Sequence, residues 1–457
     1  MKKTFKFYIA LWGAKFISEL LTAVKRNASF MPGKIALAIC PDFMGMIEKP
    51  EKVIAVTGTN GKTTVSNLLI DALEQCGYTT LNNRIGSNVN AGIASSLLNG
   101  ADLLGRTTKN VAVLEIDERS SKKVYPYIKP DYILCTNIFR DSIKRNAHTD
   151  FIVDIINSAI PKESKLILNA DDLICCSIGP ENKEKVYFGI DKLKTDTQES
   201  NNLSRDIRTC PICDSKLKYE YVHYHHIGKA YCPNCSFKSP EIDYLGANLD
   251  IENCIIEVKT KHGKTNYKLI SNNIINIYNM VAAIAVLSEF GISSGKIKDV
   301  FYDFSIVETR YKEEQMDDKR VVMYLAKGQN AIACSRTFDY IKQAEGKKAV
   351  MLNLDDYFDA KESTENMAWI YDADYELLND ESIKQIIIGG VRAKDHYLRL
   401  LIAGVPEEKI SFEQKEVDAV KHLKLDEINK IFILYDVYTV QTAEKVKAKI
   451  KEKIQKG

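Results

Sequence analysis

A chain of 457 residues is long enough for about three domains. Its 63 Lys and Arg balance 61 Asp and Glu to a net charge of +2, which excludes a protein that coats nucleic acid through bulk charge. Hydrophobic residues at 45% and charged residues at 27% exclude disorder as the main state, and no uninterrupted apolar run reaches the ~18 residues of a membrane span.

Residues 1–30 carry Lys2, Lys3, Lys6, Lys15, Lys25 and Arg26 against Glu19, a local charge of +5. Ile9, Trp12, Phe16, Leu20 and Val24 recur every three or four positions, which predicts a helix within an N-terminal arm of residues 1–45. Two readings fit it: a terminal helix docked on the body of the protein, or a basic amphipathic helix on an anionic membrane surface. No small-residue cleavage site follows the stretch, so it is not read as a signal peptide and the chain is expected in the cytoplasm.

From residue 51 the pattern becomes strand, loop, helix. Residues 53–56 suit a buried parallel strand and residues 57–62 a Gly-containing loop, while Val65, Leu68, Leu69, Ala72, Leu73 and Cys76 mark a helix face closed by Gly77. Further buried strands are predicted at 111–116, 132–136 and 166–168, giving an α/β domain with a mostly parallel sheet over 46–300. A polar stretch at 197–208 leads into a cysteine-rich insert at about 205–240. Residues 278–287 read as a helix ending before Gly291. Strands at 349–352, 385–389 and 430–434 then define a second α/β domain over 301–457, which ends in a Lys-rich, solvated helix at 441–457.

Two motifs carry chemistry. In Thr57-Gly58-Thr59-Asn60-Gly61-Lys62-Thr63-Thr64, the glycines let backbone N–H groups curl around a phosphate ahead of a helix N-terminus. Lys62 would reach the β and γ phosphates of ATP, and the Thr63 hydroxyl would bind Mg²⁺. Replacing Lys62 is expected to spare the fold, since its side chain would serve phosphate rather than the core. Glu115, at the end of the strand in Val113-Leu114-Glu115-Ile116-Asp117-Glu118, is the candidate second Mg²⁺ ligand. The second motif is Cys210-x2-Cys213-x18-Cys232-x2-Cys235, two CxxC knuckles spaced for a closed, structural Zn²⁺ site. His223, His225 and His226 between the knuckles are assigned to an exposed hairpin. The remaining seven cysteines, Cys40, Cys76, Cys135, Cys175, Cys176, Cys254 and Cys334, read as small core hydrophobes. A zinc ribbon also invites a nucleic-acid reading, but no strong basic patch or RNA-type aromatic motif accompanies it.

The loop 58–64 has the form found in Mur ligases. Further segments are Leu81-Asn82-Asn83-Arg84-Ile85-Gly86-Ser87-Asn88, Thr136-Asn137-Ile138-Phe139-Arg140-Asp141, Leu168-Asn169-Ala170-Asp171-Asp172, Asn276-Ile277-Tyr278-Asn279 and Trp369-Ile370-Tyr371-Asp372-Ala373-Asp374. With the four-cysteine insert, they make the chain resemble the MurT family, the Mur-ligase-like subunits of lipid II isoglutaminyl synthase, over about residues 5–440.

That resemblance implies a Mur-type ATP-binding domain carrying a zinc ribbon and a Rossmann-like C-terminal domain. It implies ATP-dependent amidation of the D-glutamate α-carboxyl of lipid II, through an acyl phosphate, with ammonia from a glutaminase subunit of the GatD type. It also implies that Asn137 lies near the nucleotide, that Arg310 contacts phosphate, and that the C-terminal domain supplies an acid to the glutaminase triad. The acid's position is occupied by Asn366 or, if an insertion is present, by Glu362. The chain departs from the family at Lys144, at Asn146-Ala147-His148, and in Ala326-Lys327-Gly328, where Asn-Pro-Ala is missing. Two other functions stay open: a Mur-like ligase joining an amino acid to another carboxylate, and a nucleotide-binding paralogue without turnover.

Overall fold

Each unit is built around one mostly parallel sheet whose central strands are short apolar runs of the sequence. The computed structural model describes residues 1–140, 148–304, 311–326, 328, 330–354, 367–436 and 438–456. The first unit holds Met1–Phe139, His148–Ser200 and Asp206–Ile306; the second holds Arg140–Ala147, Asn201–Arg205 and Val307–Gly457.

In the first unit the parallel strands are β1 (Lys52–Thr57), β2 (Thr80–Asn82), β3 (Val111–Glu115), β4 (Tyr132–Cys135), β5 (Lys165–Asn169) and β6 (Lys185–Ile190). An antiparallel pair, β7 (Lys218–Tyr224) and β8 (Ile227–Tyr231), stands apart. The strands β9 (Tyr244–Asp250), β10 (Ile255–Thr260) and β11 (Gly263–Lys268) extend the main sheet, which runs β11-β10-β9-β6-β5-β4-β1-β3-β2. Pairing is parallel from β2 to β9 and antiparallel beyond it. The strand β1 is buried from Val53 to Thr57, because helices cover both faces of a parallel sheet. Chain order reverses at β1, with β4 on one side and β3 on the other, and the carboxyl ends at such a switch point are where open α/β sheets bind ligands.

The helix Lys62–Gln75 follows β1 and buries the predicted stripe Val65, Leu68, Leu69, Ala72 and Leu73, while Cys76 caps it half-exposed. The helix Ile274–Phe290 is apolar almost all round and ends at Gly291, whose φ of 105° suits a left-handed cap. The expectation that seven cysteines fill the core is corrected in part. Cys40, Cys135, Cys175 and Cys334 are buried, but Cys76, Cys176 and Cys254 are only half-buried.

The N-terminal helix Phe5–Ala23 docks in the first unit by a face that its apolar periodicity does not mark. Phe7, Ala10, Leu11 and Ala14 are fully buried, with Phe7 stacked on Phe43 at 5.3 Å between ring centroids. Ile9, Trp12, Phe16, Leu20 and Val24 lie on the opposite side, exposed.

The second unit is a six-stranded sheet in the order β12-β13-β17-β14-β15-β16. Its strands are β12 (Tyr311–Met316), β13 (Lys319–Leu325), β14 (Lys348–Asn353), β15 (Ile383–Gly389), β16 (Ile410–Glu413) and β17 (Lys430–Tyr435), parallel except for β12 against β13. The C-terminal helix Val440–Gln455 is solvated on one face only. Ala443, Val446, Ile450 and Ile454 lock the other onto the sheet.

One buried imidazole makes this unit acid-sensitive. His396 is fully buried, with Nδ1 2.6 Å from the Tyr375 hydroxyl and Trp369 edge-on to its ring. Burial pushes its pKa down from 6.5 to about 4. The unfolded chain therefore takes up a proton first as pH falls, and stability is lost through that window. At pH 5 the loss is about 2 kcal/mol. Denaturation midpoints at pH 7 and pH 5 should separate less in His396→Phe than in the wild type; an equal separation would remove His396 as the cause.

Candidate functional site

The loop between β1 and the helix Lys62–Gln75 is held from below by the ends of β4 and β5. Thr59 N–H donates to the Asn137 carbonyl at 2.8 Å, and Asn60 N–H donates to Asn137 Oδ1 at 3.0 Å. Asn137 Nδ2 and Thr136 Oγ1 both donate back to the Asn60 carbonyl, at 3.0 and 2.7 Å. The Thr59 hydroxyl accepts from Phe139 N–H at 2.9 Å and donates to the Phe139 carbonyl at 3.1 Å. Asn169 donates to the Thr136 carbonyl, and Asp172 accepts from Ile138 N–H at 2.7 Å. Two glycines are obligatory here. A Cβ on Gly58 would stand 2.3 Å from Thr136 Oγ1, and one on Gly61 would stand 2.2 Å from Asn279 Oδ1; both have positive φ, 119° and 91°. No side chain caps the helix N-terminus, so its first-turn amides face the loop, as anion binding requires.

Charges converge on that terminus. Thr63 Oγ1 donates to Glu115 Oε2 at 2.8 Å, because β3 pairs with β1 so that Glu115 sits opposite Val56. Glu115 Oε1 accepts from Asn88 at 3.0 Å, and Asn83 bonds both the N–H and the carbonyl of Glu115. Lys62 Nζ is 2.8 Å from Glu118 Oε1 and also donates to the Gly58 carbonyl. Both side chains are nearly buried, at 13% and 4% exposure. Burial works to lower the Lys62 pKa, but Glu118, Glu115 and Asp117 outweigh it and hold the ammonium charged.

This pairing corrects the expectation that Lys62 can be removed without structural cost. A buried ion pair broken on one side typically costs about 3–5 kcal/mol, or the surviving group loses its charge.

A second correction concerns the histidines. The turn between β7 and β8 is not exposed: His225 and His226 are each 1% exposed and the His223 ring is buried. His226 lies 4.5 Å from Phe139 between ring centroids, and its Nε2 is 3.4 Å from Asp172. His223 Nδ1 is 2.9 Å from Asp196; burial opposes its charged form, but the Asp196 and Asp171 carboxylates raise its pKa above the ordinary value. The insert thus packs its hairpin turn against the segment that holds Thr59. At its other end, ligand atoms of Cys210, Cys213, Cys232 and Cys235 all lie within 4.8 Å of one another. The Ile212 and Asn234 amides donate to the sulfurs of Cys210 and Cys232, each at 3.4 Å. Such amides stabilise thiolates, and four sulfurs at this separation fit one tetrahedral Zn²⁺.

Known proteins match this chain over nearly its whole length. Residues 56–237 match the Mur ligase middle domain, and residues 327–440 match the MurT ligase C-terminal family. The chain is 31% identical to the MurT subunit of lipid II isoglutaminyl synthase (glutamine-hydrolyzing) from Streptococcus pneumoniae, over 89% of this chain and 90% of that protein. It is 30% identical to the Staphylococcus aureus (strain COL) MurT subunit, over 87% and 88%. The chain belongs to the MurT family. It is accordingly an enzyme, a ligase of the Mur class. Its fold is the mixed α/β fold of Mur ligases: a pseudomurein peptide ligase type C from Methanothermus fervidus superposes with a TM-score of 0.65 at 22% identity, over 88% of this chain and 79% of that one.

Within the MurT-type chain, several partners of the site had no individual role in the sequence. Glu118, Asn83, Asn88 and Asn279 are polar or charged side chains with no periodicity to single them out. Their segments mark the family, but only the sheet order brings them to one edge. Asp171, also in a family segment, accepts from the Tyr278 hydroxyl at 2.7 Å and from Ile190 N–H at 2.9 Å. In the second unit the segment 369–374 is structural. Buried Arg399 donates to the Ile370 and Ala373 carbonyls, and Asp374 accepts from Asn202 and from Leu203 N–H. Arg310, Glu362, Asn366, Lys144 and Lys327 lie outside the described residues.

Phe139 is the contact through which the insert meets the loop. Phe139→Ala should lower stability by about 3–5 kcal/mol, measured by urea denaturation. A loss under 1 kcal/mol would show that the hairpin turn does not depend on this ring.

Proposed function

We propose that this chain is the synthetase subunit of a lipid II amidating enzyme. In this reading it uses ATP to convert the α-carboxyl of D-glutamate in lipid II to the amide of D-isoglutamine. A separate glutaminase subunit of the GatD type supplies the ammonia. The observation that carries the reading is the Thr63–Glu115 pair beside Lys62, at an uncapped helix N-terminus, in a chain of the MurT family.

The residues present fit the groups this chemistry needs. Gly58, Thr59, Asn60, Gly61, Lys62, Thr63 and Thr64 would hold the ATP phosphates, with Asn137 fixing the loop through Asn60. The Thr63 hydroxyl and Glu115 carboxylate, already 2.8 Å apart, offer the one or two protein oxygens that Mg²⁺ takes alongside phosphate and water. Mg²⁺ there would supply charge neutralisation to the phosphoryl oxygens. Lys62, held as a cation, would exchange Glu118 for phosphate as its partner. Asn88 and Asn83 keep Glu115 aimed at Thr63.

A carboxylate resists attack by ammonia because it is a poor electrophile with no leaving group. Its oxygen would therefore take the γ-phosphoryl group, releasing ADP. Ammonia would then add to the carbonyl carbon, and phosphate would leave with loss of a proton. The proposed division places ATP binding in residues 46–300, behind the N-terminal arm 1–45, with Arg310 reaching phosphate. Residues 301–457 would meet the glutaminase, Glu362 or alternatively Asn366 lending its triad a side chain. The four cysteines would bind a structural Zn²⁺ and make the 205–240 insert a zinc ribbon. The chain would work at the cytoplasmic face of the membrane.

The purified chain with ATP, lipid II and free ammonium should form the amide, read by mass; Glu115→Gln should cut that rate about 100-fold with the fold unchanged by circular dichroism. ADP release only with an added amino acid would instead make it a Mur-like amino-acid ligase, and tight ATP binding without turnover would make it a nucleotide-binding paralogue. Metal analysis should find about one zinc per chain, lost in Cys232→Ser. A zinc-free protein with unchanged melting temperature would refute the ribbon.

A further inference from the structure

The N-terminal helix is apolar on two opposite faces, and only one of them is used. At 100° per residue, Phe7, Ala10, Leu11 and Ala14 form the docked side, while Phe5, Ile9, Trp12, Phe16, Leu20 and Val24 run along the other. No described residue covers that second side: Trp12 is 51% exposed, Phe16 67% and Leu20 52%. The loop tip beside it is apolar too. Trp12 Nε1 donates to the Leu103 carbonyl and Lys3 to the Leu104 carbonyl, both at 2.8 Å, and Leu103 and Leu104 expose their side chains. A row of large apolar side chains about 28 Å long, continued by the loop tip, exceeds the scattered exposure of ordinary surfaces.

Its charge identifies the occupant. Lys2, Lys6, Lys25 and Arg26 are exposed around the stripe, and Glu19 is the single acid in residues 1–30. A second copy of this chain would bring the same cations against them, which disfavours self-association. No helix of the described residues is long and apolar enough to cross a membrane, so burial of this face in lipid would be in the plane of the surface. Aromatic and aliphatic side chains flanked by cations are the composition that inserts between anionic headgroups.

We infer that the exposed face of helix Phe5–Ala23, with the loop tip at Leu103 and Leu104, is a docking surface for an anionic lipid bilayer. It would hold the ligase at the membrane in which the proposed substrate lies, and to that extent it rests on the lipid II reading. The docked face fixes the helix to the catalytic unit, so the bilayer contact would set the height and orientation of the phosphate loop above the membrane.

The test uses the full chain and the triple variant Ile9→Ser/Phe16→Ser/Leu20→Ser. These side chains are exposed, so the melting temperature should hold. Co-sedimentation with phosphatidylglycerol–phosphatidylcholine vesicles should fall at least about tenfold in the variant. Lys2→Glu/Lys6→Glu should weaken binding and reduce its salt dependence. Trp12 emission should shift to the blue on vesicle addition, against the constant background of buried Trp369. Absence of binding to anionic vesicles, equal binding by wild type and triple variant, or a dimer that the triple variant dissolves would each overturn the docking surface. Amidation of detergent-solubilised lipid II should survive the triple substitution while amidation in vesicles drops. If stripe-dependent vesicle binding occurs and no amide forms in either preparation, the substrate reading fails and the docking surface stands.

Discussion

The structure depends on one set of hydrogen bonds, those that tie the loop 58–61 to the residues just past β4. Thr59 and Asn60 spend N–H, hydroxyl and carbonyl groups on Thr136, Asn137 and Phe139. A glycine loop without such anchors would lose its curl to conformational entropy, since glycine has the most freedom to lose. Asn169 and Asp172 of the β5 end then hold the anchoring segment. The order is hierarchical: sheet register places strand ends, strand ends fix the loop, and the loop presents the helix terminus.

Charge follows from that placement. A lysine, three carboxylates and an uncapped helix N-terminus meet in a small volume with little solvent around Lys62. The arrangement keeps a cation where phosphate would bind while leaving it a partner when no phosphate is there. It predicts that Lys62 is costly to remove, although its position in the sequence reads as purely functional. The four-cysteine insert reaches the same region from the other direction, through His226 and Phe139. The insert and the segment that anchors the loop are thereby in direct contact.

Much of this was legible from residue patterns. Buried strands read as apolar runs because a doubly covered parallel sheet has no polar face, and they fall at β1, β3, β4, β5, β14, β15 and β17. The glycine loop 58–64 and the clustering of the four cysteines were legible because both stand at fixed residue types and fixed spacing. The histidines of the insert were misread. Polar residues between two knuckles resemble a solvent-facing hairpin, and nothing local says that the turn lands on Phe139. The helix stripe failed in another way: Ile9, Trp12, Phe16, Leu20 and Val24 correctly predict a helix, but alternative faces of one helix cannot be ranked without the surface they meet.

The sequence by itself determined the seven most apolar strands, the loop, the cysteine quartet and the family, because each is written in local periodicity or in short-range spacing. The tertiary structure alone decided which groups meet. It set Glu115 against Thr63 and Glu118 against Lys62, across 52 and 56 positions of chain, by pairing β3 with β1. It also chose which face of the first helix is buried. Both are contacts between segments far apart in the chain, and a contact of that kind is fixed by sheet order and packing rather than by any neighbouring residue.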